Sequence, residues 1–232
     1  MSQSSTTPIP PPTKTMPADR PANPNSTRIG APFNQVTDGR LHRSIATRRR
    51  IVTALEELIR AGVLSPTAEQ VAQRADVGLR TVFRHFDDME TLYREINVDL
   101  EAISMPALKM RLQSPTWEDR LMESIALRAQ LFEKLMPYYV SACVHRHHSK
   151  FIEEQHARDV KAQRAVLEKI LAVKLLDRCW QIEALDLLLS IDSWVRLRRE
   201  QGLTPERAIE VMRGSARACL GAETMKSKAR KD

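Results

Sequence analysis

Arg80, Thr81, Arg84 and His85 place two guanidinium forks, a hydroxyl and an imidazole within six residues, among apolar Leu79, Val82, Phe83 and Phe86 at helical spacing. A helix bearing those groups has the chemistry to read nucleic acid. Arginine pairs bidentately with guanine O6 and N7, while hydroxyl and imidazole groups bond phosphate oxygens. Upstream, Arg48, Arg49 and Arg50 are consecutive cations suited to phosphate or minor-groove contact. A second cluster, His145, His147, His148, Glu153 and His156, has metal-binding side chains. His145 and His148 are one helical turn apart, and Glu153 with His156 is an ExxH pair of the kind di-iron bundles use. Such a site needs a second pair on a facing helix, and no further histidine follows His85 outside this cluster. No metal or other cofactor is therefore expected. The chain has no nucleophile triad, glycine-rich phosphate loop or dinucleotide fingerprint, so it is not expected to be an enzyme. A small helical metal-binding protein or enzyme built on the histidine cluster is the alternative from a different class.

The elements that must position the arginines carry their own signals. Thr67 followed by Gln70 is a capping box that starts a helix, with Val71, Ala72 and Ala75 inward. Asp76-Val77-Gly78 breaks the pattern, and Asp76 is the residue expected to take the left-handed conformation. The next helix carries Arg80 and Arg84, and Asp87 and Asp88 are expected to cap a longer one. Before them, Arg48 to Arg50 open a helix whose Ile51, Leu55, Leu58 and Ile59 share a face. A helix-turn-helix accounts for this order; an ordinary helical hairpin in a core is the competing reading.

Residues 44 to 96 resemble the N-terminal domain of the TetR family of transcriptional regulators. The resemblance rests on RRRIVTALEELIRAG, TAEQVAQRADV, TVFRHF and DDMETLYREI, in that order and spacing. It implies backbone contacts from Thr67, Thr81, Phe83 and His85, with Leu79, Arg80 and Arg84 toward the groove. Phe83 stands where the family usually has tyrosine, Met89 where lysine is frequent and Asp76 where glycine is common. Fewer phosphate contacts than usual are expected.

Composition fits an all-α chain: glycine numbers only 7 in 232 residues, and helical patterns run throughout. The net charge of +7 does not by itself argue for DNA, since residues 47 to 96 hold eight basic and eight acidic side chains. Three cysteines without CxxC spacing point to free thiols. No apolar run is long enough for a membrane span or a signal-peptide core, so no membrane partner and a cytoplasmic location are expected.

Four regions follow: a disordered Pro-rich extension over 1 to 43, holding eight of the thirteen prolines; a helix-turn-helix domain over 44 to 96; an effector-binding and dimerisation domain over 97 to 221; and a basic tail over 222 to 232. Arg28, Arg40 and Arg43 could let the extension track DNA as a charged arm. In the large domain the spacing predicts helices from Asp88 to about Ser104, Glu118 to Leu135, Lys150 to about Val173, Ile182 to Leu203, and from Thr204-Pro205 onward. Leu188, Ile191, Trp194, Val195, Ile209, Met212 and Ala216 are the expected homodimer interface; the TetR resemblance implies that the last two helices pair with their twins. Trp117, Met122, Phe132, Met136, Tyr139 and Trp180 could line a pocket for an apolar small-molecule effector. The expected function is regulation, as a repressor released from a palindromic operator on double-stranded DNA by that effector.

Overall fold

The structure, a computed structural model, describes residues 35–109, 111–171 and 179–228. The described residues form α1 Gln35–Arg60, α2 Ala68–Arg74, α3 Leu79–His85, α4 Met89–Lys109, α5 Trp117–His145, α6 Lys150–Leu171, α7 Cys179–Leu188, α8 Ile191–Val195 and α9 Pro205–Lys228, with no strand among them. Short 3-10 and π-helical turns extend α5 and α8. Two compact units, 1–41 and 42–232, divide the chain. Of the first, only the opening of α1 is described. No helix of the described residues is long and apolar enough to cross a membrane.

The helix expected to open at Arg48 begins at Gln35 and takes in residues 35–43 of the expected disordered stretch. The last proline of that stretch is Pro32, and adding turns to a formed helix costs far less than nucleating one. Arg28 and residues 1–34 lie outside the described residues. Part of the basic tail is likewise helical, since α9 continues to Lys228.

α1 to α4 share one apolar core. Ile51, Val52, Leu55 and Ile59 of α1 meet Val71 and Ala72 of α2, Val82 of α3, Phe86, and Leu92, Tyr93 and Ile96 of α4. Both halves of the α2 capping box form: the Gln70 amide donates to Thr67 Oγ1 at 3.3 Å, and the Thr67 amide donates to Gln70 Oε1 at 2.9 Å. Asp76 takes φ 51°, turning the chain between α2 and α3 as its type predicts. Asp88 Oδ1 accepts the Thr91 amide at 2.7 Å and caps α4. Thr67→Ala should cost about 1 kcal/mol in urea denaturation, because it leaves first-turn amides without their side-chain acceptor. No loss of stability would show that the box contributes nothing.

α5 is the axis of the second core. Its Leu121, Ile125, Ala129 and Phe132 pack against Leu167, Ile170 and Leu171 of α6, Leu185 and Leu189, Ile191 and Trp194 of α8, and Ala208, Met212 and Ala216 of α9. Three helix boundaries differ from expectation. Pro106 lies inside α4 and Pro137 inside α5, and each helix continues past its proline although the ring forgoes one backbone hydrogen bond. The apolar stretch from Ile182 is broken by Ser190, whose hydroxyl caps α8 by accepting the Ser193 amide at 3.2 Å. Gly202, at φ 68°, then ends the π-helical turn, and α9 starts at Pro205 as its sequence predicts.

Ile191, Trp194, Met212 and Ala216, expected at a subunit interface, are buried within this chain's own core. Trp194 is fully enclosed and donates from Nε1 to Glu133 Oε1 at 2.8 Å, a carboxylate also held by Arg198. Apolar spacing marks a buried helix face whether the partner is the same chain or another. Leu188, Val195 and Ile209 remain partly exposed.

Candidate nucleic-acid interface

Val82 and Phe86 turn α3 toward the core, which leaves Leu79, Arg80, Phe83 and Arg84 on its outer face. Thr81 and His85 stand half-buried at the edges. Phe83 is 47% exposed, so this apolar ring belongs to the outer surface with the arginines rather than to the core. No carboxylate of the described residues pairs with Arg80, Arg84 or Arg50. All three side chains are exposed. Partial burial, then the charges of Arg84 and Arg48, pushes the His85 pKa below its ordinary value. The imidazole is thus neutral at neutral pH, with a donor and an acceptor.

The three consecutive arginines separate into different environments. Arg48 donates from Nε and Nη2 to the Glu95 carboxylate at 3.2 and 2.7 Å, from Nη1 to the His85 carbonyl at 2.7 Å, and lies 4.2 Å over the Phe86 ring. It ties α1 to the end of α3 and to α4. Arg49 pairs with Asp99, farther along α4. Arg50 is exposed, and with Arg49 and Arg74 it borders a shallow groove between α1 and α2. Thr67 is exposed at the start of α2, its side chain engaged in the capping box.

A second site lies behind this surface. A cavity of about 240 Å³ is bounded by Tyr93, Ile96, Asn97 and Leu100 of α4, one side of α5, α6 from Ile152 to Val166, and Ser190 to Asp192. Of the six residues expected to line a pocket, Phe132 and Tyr139 do so. Trp117, Met122 and Met136 instead pack against the second core, and Trp180 is 54% exposed. The reason is helical phase: Ser124, Arg128, Leu131, Leu135 and Tyr139 follow one stripe of an unbroken α5, and the methionines lie off it. Tyr139 donates its hydroxyl to Asp192, and burial together with that carboxylate pushes the phenol pKa far up. Sequence reasoning missed Tyr93, Asn97 and Arg128. The available signal for Arg128 was a lone charge on the apolar face of IALRAQLF.

α4 joins the two sites. The Tyr93 hydroxyl lies 3.1 Å from Ser141 Oγ, which donates to the Leu64 carbonyl at 2.8 Å; Ser149 donates to Glu90 at 2.6 Å; and Arg94 lies 4.1 Å over Phe151. The histidine cluster is drawn into this framework rather than gathered. His145 packs on the Tyr93 ring, His147 and His148 are exposed, and His156 lies beside Tyr139 at the cavity. No three His, Cys, Asp or Glu side chains of the described residues are grouped to hold a metal.

The family model for bacterial regulatory proteins of the tetR family matches residues 51–96, from the middle of α1 to Ile96 of α4. No curated protein matches the chain. The match covers the core that presents α3, and this domain of the tetR family supports a DNA-binding transcriptional regulator.

Proposed function

We propose that the protein is a homodimeric repressor, acting in the cytoplasm, that binds a palindromic operator and is released by a small-molecule effector in the cavity. The observation that carries this reading is the double role of α4: Tyr93 and Ile96 belong to the core under the recognition helix and also line the cavity. A ligand that displaces α4 shifts the α3 platform with it. Release then follows as a population shift toward dimers whose recognition helices no longer match successive major grooves. The DNA-binding domain takes in residues 44–96, and 97–221 serve effector binding and dimerisation.

In this reading Arg80 and Arg84 face base edges, with Leu79 beside them. Thr67, Thr81, Phe83, His85 and Arg50 meet the backbone. Arg48 and Arg49 act from behind, by holding α1 to α4. The dimer surface uses Leu188, Val195 and Ile209 together with Leu187, which is 68% exposed on α7. A twofold axis through these helices presents two copies of α3 to an inverted repeat.

Arg50→Ala should weaken binding to all DNA sequences alike and reduce the salt slope by roughly one unit, the mark of one lost phosphate contact. A sequence-dependent loss would move Arg50 to the base-reading group. The regulatory reading is tested by titrating effector with and without bound operator. Operator should weaken effector binding by the same factor by which effector weakens operator binding. Independent binding of the two would overturn it.

A further inference from the structure

We propose that the cavity takes an apolar molecule ending in a carboxylate and that Arg128 receives that carboxylate. The proposal rests on reading the cavity as the effector site. Arg128 lies midway along α5 on the cavity wall and is mostly withdrawn from water. Nη1 donates to the Leu189 carbonyl at 3.2 Å and Nη2 to the Gln163 carbonyl at 3.0 Å. Both acceptors are neutral. A guanidinium carries five N–H donors, so three have no acceptor among the described residues, and no described carboxylate forms an ion pair with it. Asp186 is the acid whose field reaches Arg128, but it lies 3.5 Å from Arg164, which also holds Glu183 and Glu168. Burial pushes the Arg128 pKa down to about 10, as expected for a cation whose lost hydration is incompletely replaced.

A carboxylate is the complement of those unused donors, supplying two oxygens and one negative charge. The walls around it define the rest of the molecule: Ile96, Leu100, Leu127, Leu131, Phe132 and Val166 are apolar. The volume of about 240 Å³ limits the ligand to a small one. Acids also line the cavity, and they favour a cation. Each is already engaged: Asp192 accepts from Tyr139, Asp159 from Gln155 and Glu101 from Asn97, and Asp186 pairs with Arg164. Arg146, the other arginine on the wall, is paired with Glu153, whereas Arg128 has no carboxylate partner among the described residues, so an anion is received at Arg128.

Isothermal titration of the full-length protein with two matched sets tests the assignment: octanoate, octanamide and octylamine; and 4-phenylbutyrate with its amide and amine. At least one acid should bind about tenfold or more tighter than its amide, as a charge-assisted hydrogen-bond pair requires, with the amine weakest. In Arg128→Gln that gap should fall below about twofold, and Arg128→Lys should restore part of it. Where Arg128→Gln fails to fold, the wild-type series decides alone. Equal binding of acid and amide, tighter binding of the amine, or no binding by either set overturns the proposal. Repeating the titrations on the operator complex separates the two readings. An acid that binds without releasing DNA preserves the carboxylate site and removes the effector role; release by the amines alone does the reverse.

Discussion

Phe86→Ala is expected to destabilise the DNA-binding domain by about 3 to 5 kcal/mol and to abolish DNA binding. Phe86 closes α3, is 1% exposed, and fills the centre of the core formed by α1 to α4. Removing the ring leaves a cavity between helices that cannot all collapse onto it. The same ring supports the Arg48 guanidinium, which in turn holds the His85 carbonyl and Glu95. The variant therefore loosens the end of the recognition helix as well as the core. Against a typical domain stability of about 5 to 15 kcal/mol, that loss is large. Urea denaturation followed by fluorescence or circular dichroism measures it, and a loss below about 1 kcal/mol would show that Phe86 does not anchor α3.

Arg80→Ala should weaken operator binding by about 1 to 3 kcal/mol, roughly five- to 150-fold, if its fork reads a guanine. Arg80 is exposed on the outer face of α3, with no described carboxylate paired to it, so the substitution changes the surface and leaves the core intact. Binding to unrelated DNA should fall far less, because one phosphate-directed charge contributes only a fraction of the electrostatic term. Fluorescence anisotropy with operator and scrambled duplexes distinguishes the two effects. An equal loss on both duplexes would make Arg80 a backbone contact and pass the base-reading role to Arg84.

What the sequence made legible was local chemistry. The Thr67–Gln70 box, the left-handed Asp76, the Asp88 cap and the Pro205 helix start each depend on residues a few positions apart, and the structure contains all four. The family domain was legible for the same reason: its signals fall within 51–96. Helix length was harder to read, because Pro106 and Pro137 look like boundaries, yet α4 and α5 run through them.

Arg48 shows the same limit at the candidate site. Beside Arg49 and Arg50 it resembles a phosphate contact, yet its partner Glu95 lies 47 residues away, and only the fold brings them together. Trp194 and Met212 have the spacing of an interface but are enclosed by their own chain. In the cavity, Phe132 and Tyr139 could be chosen by type, whereas Met122 and Met136 fail on helical phase, and Arg128 is a charged residue that type alone does not assign to an apolar pocket.

In the proposed function α3 reads a specific DNA sequence and a dimer reads it twice. Selection of bound fragments from random duplex DNA, with the wild-type protein and the Arg80→Ala, Thr81→Ala double variant side by side, tests it most directly. An enriched inverted repeat with half-sites about one helical turn apart is expected for the wild type, and no such enrichment for the folded double variant. A wild type that enriches no sequence, or a double variant that enriches the same repeat equally well, would contradict it.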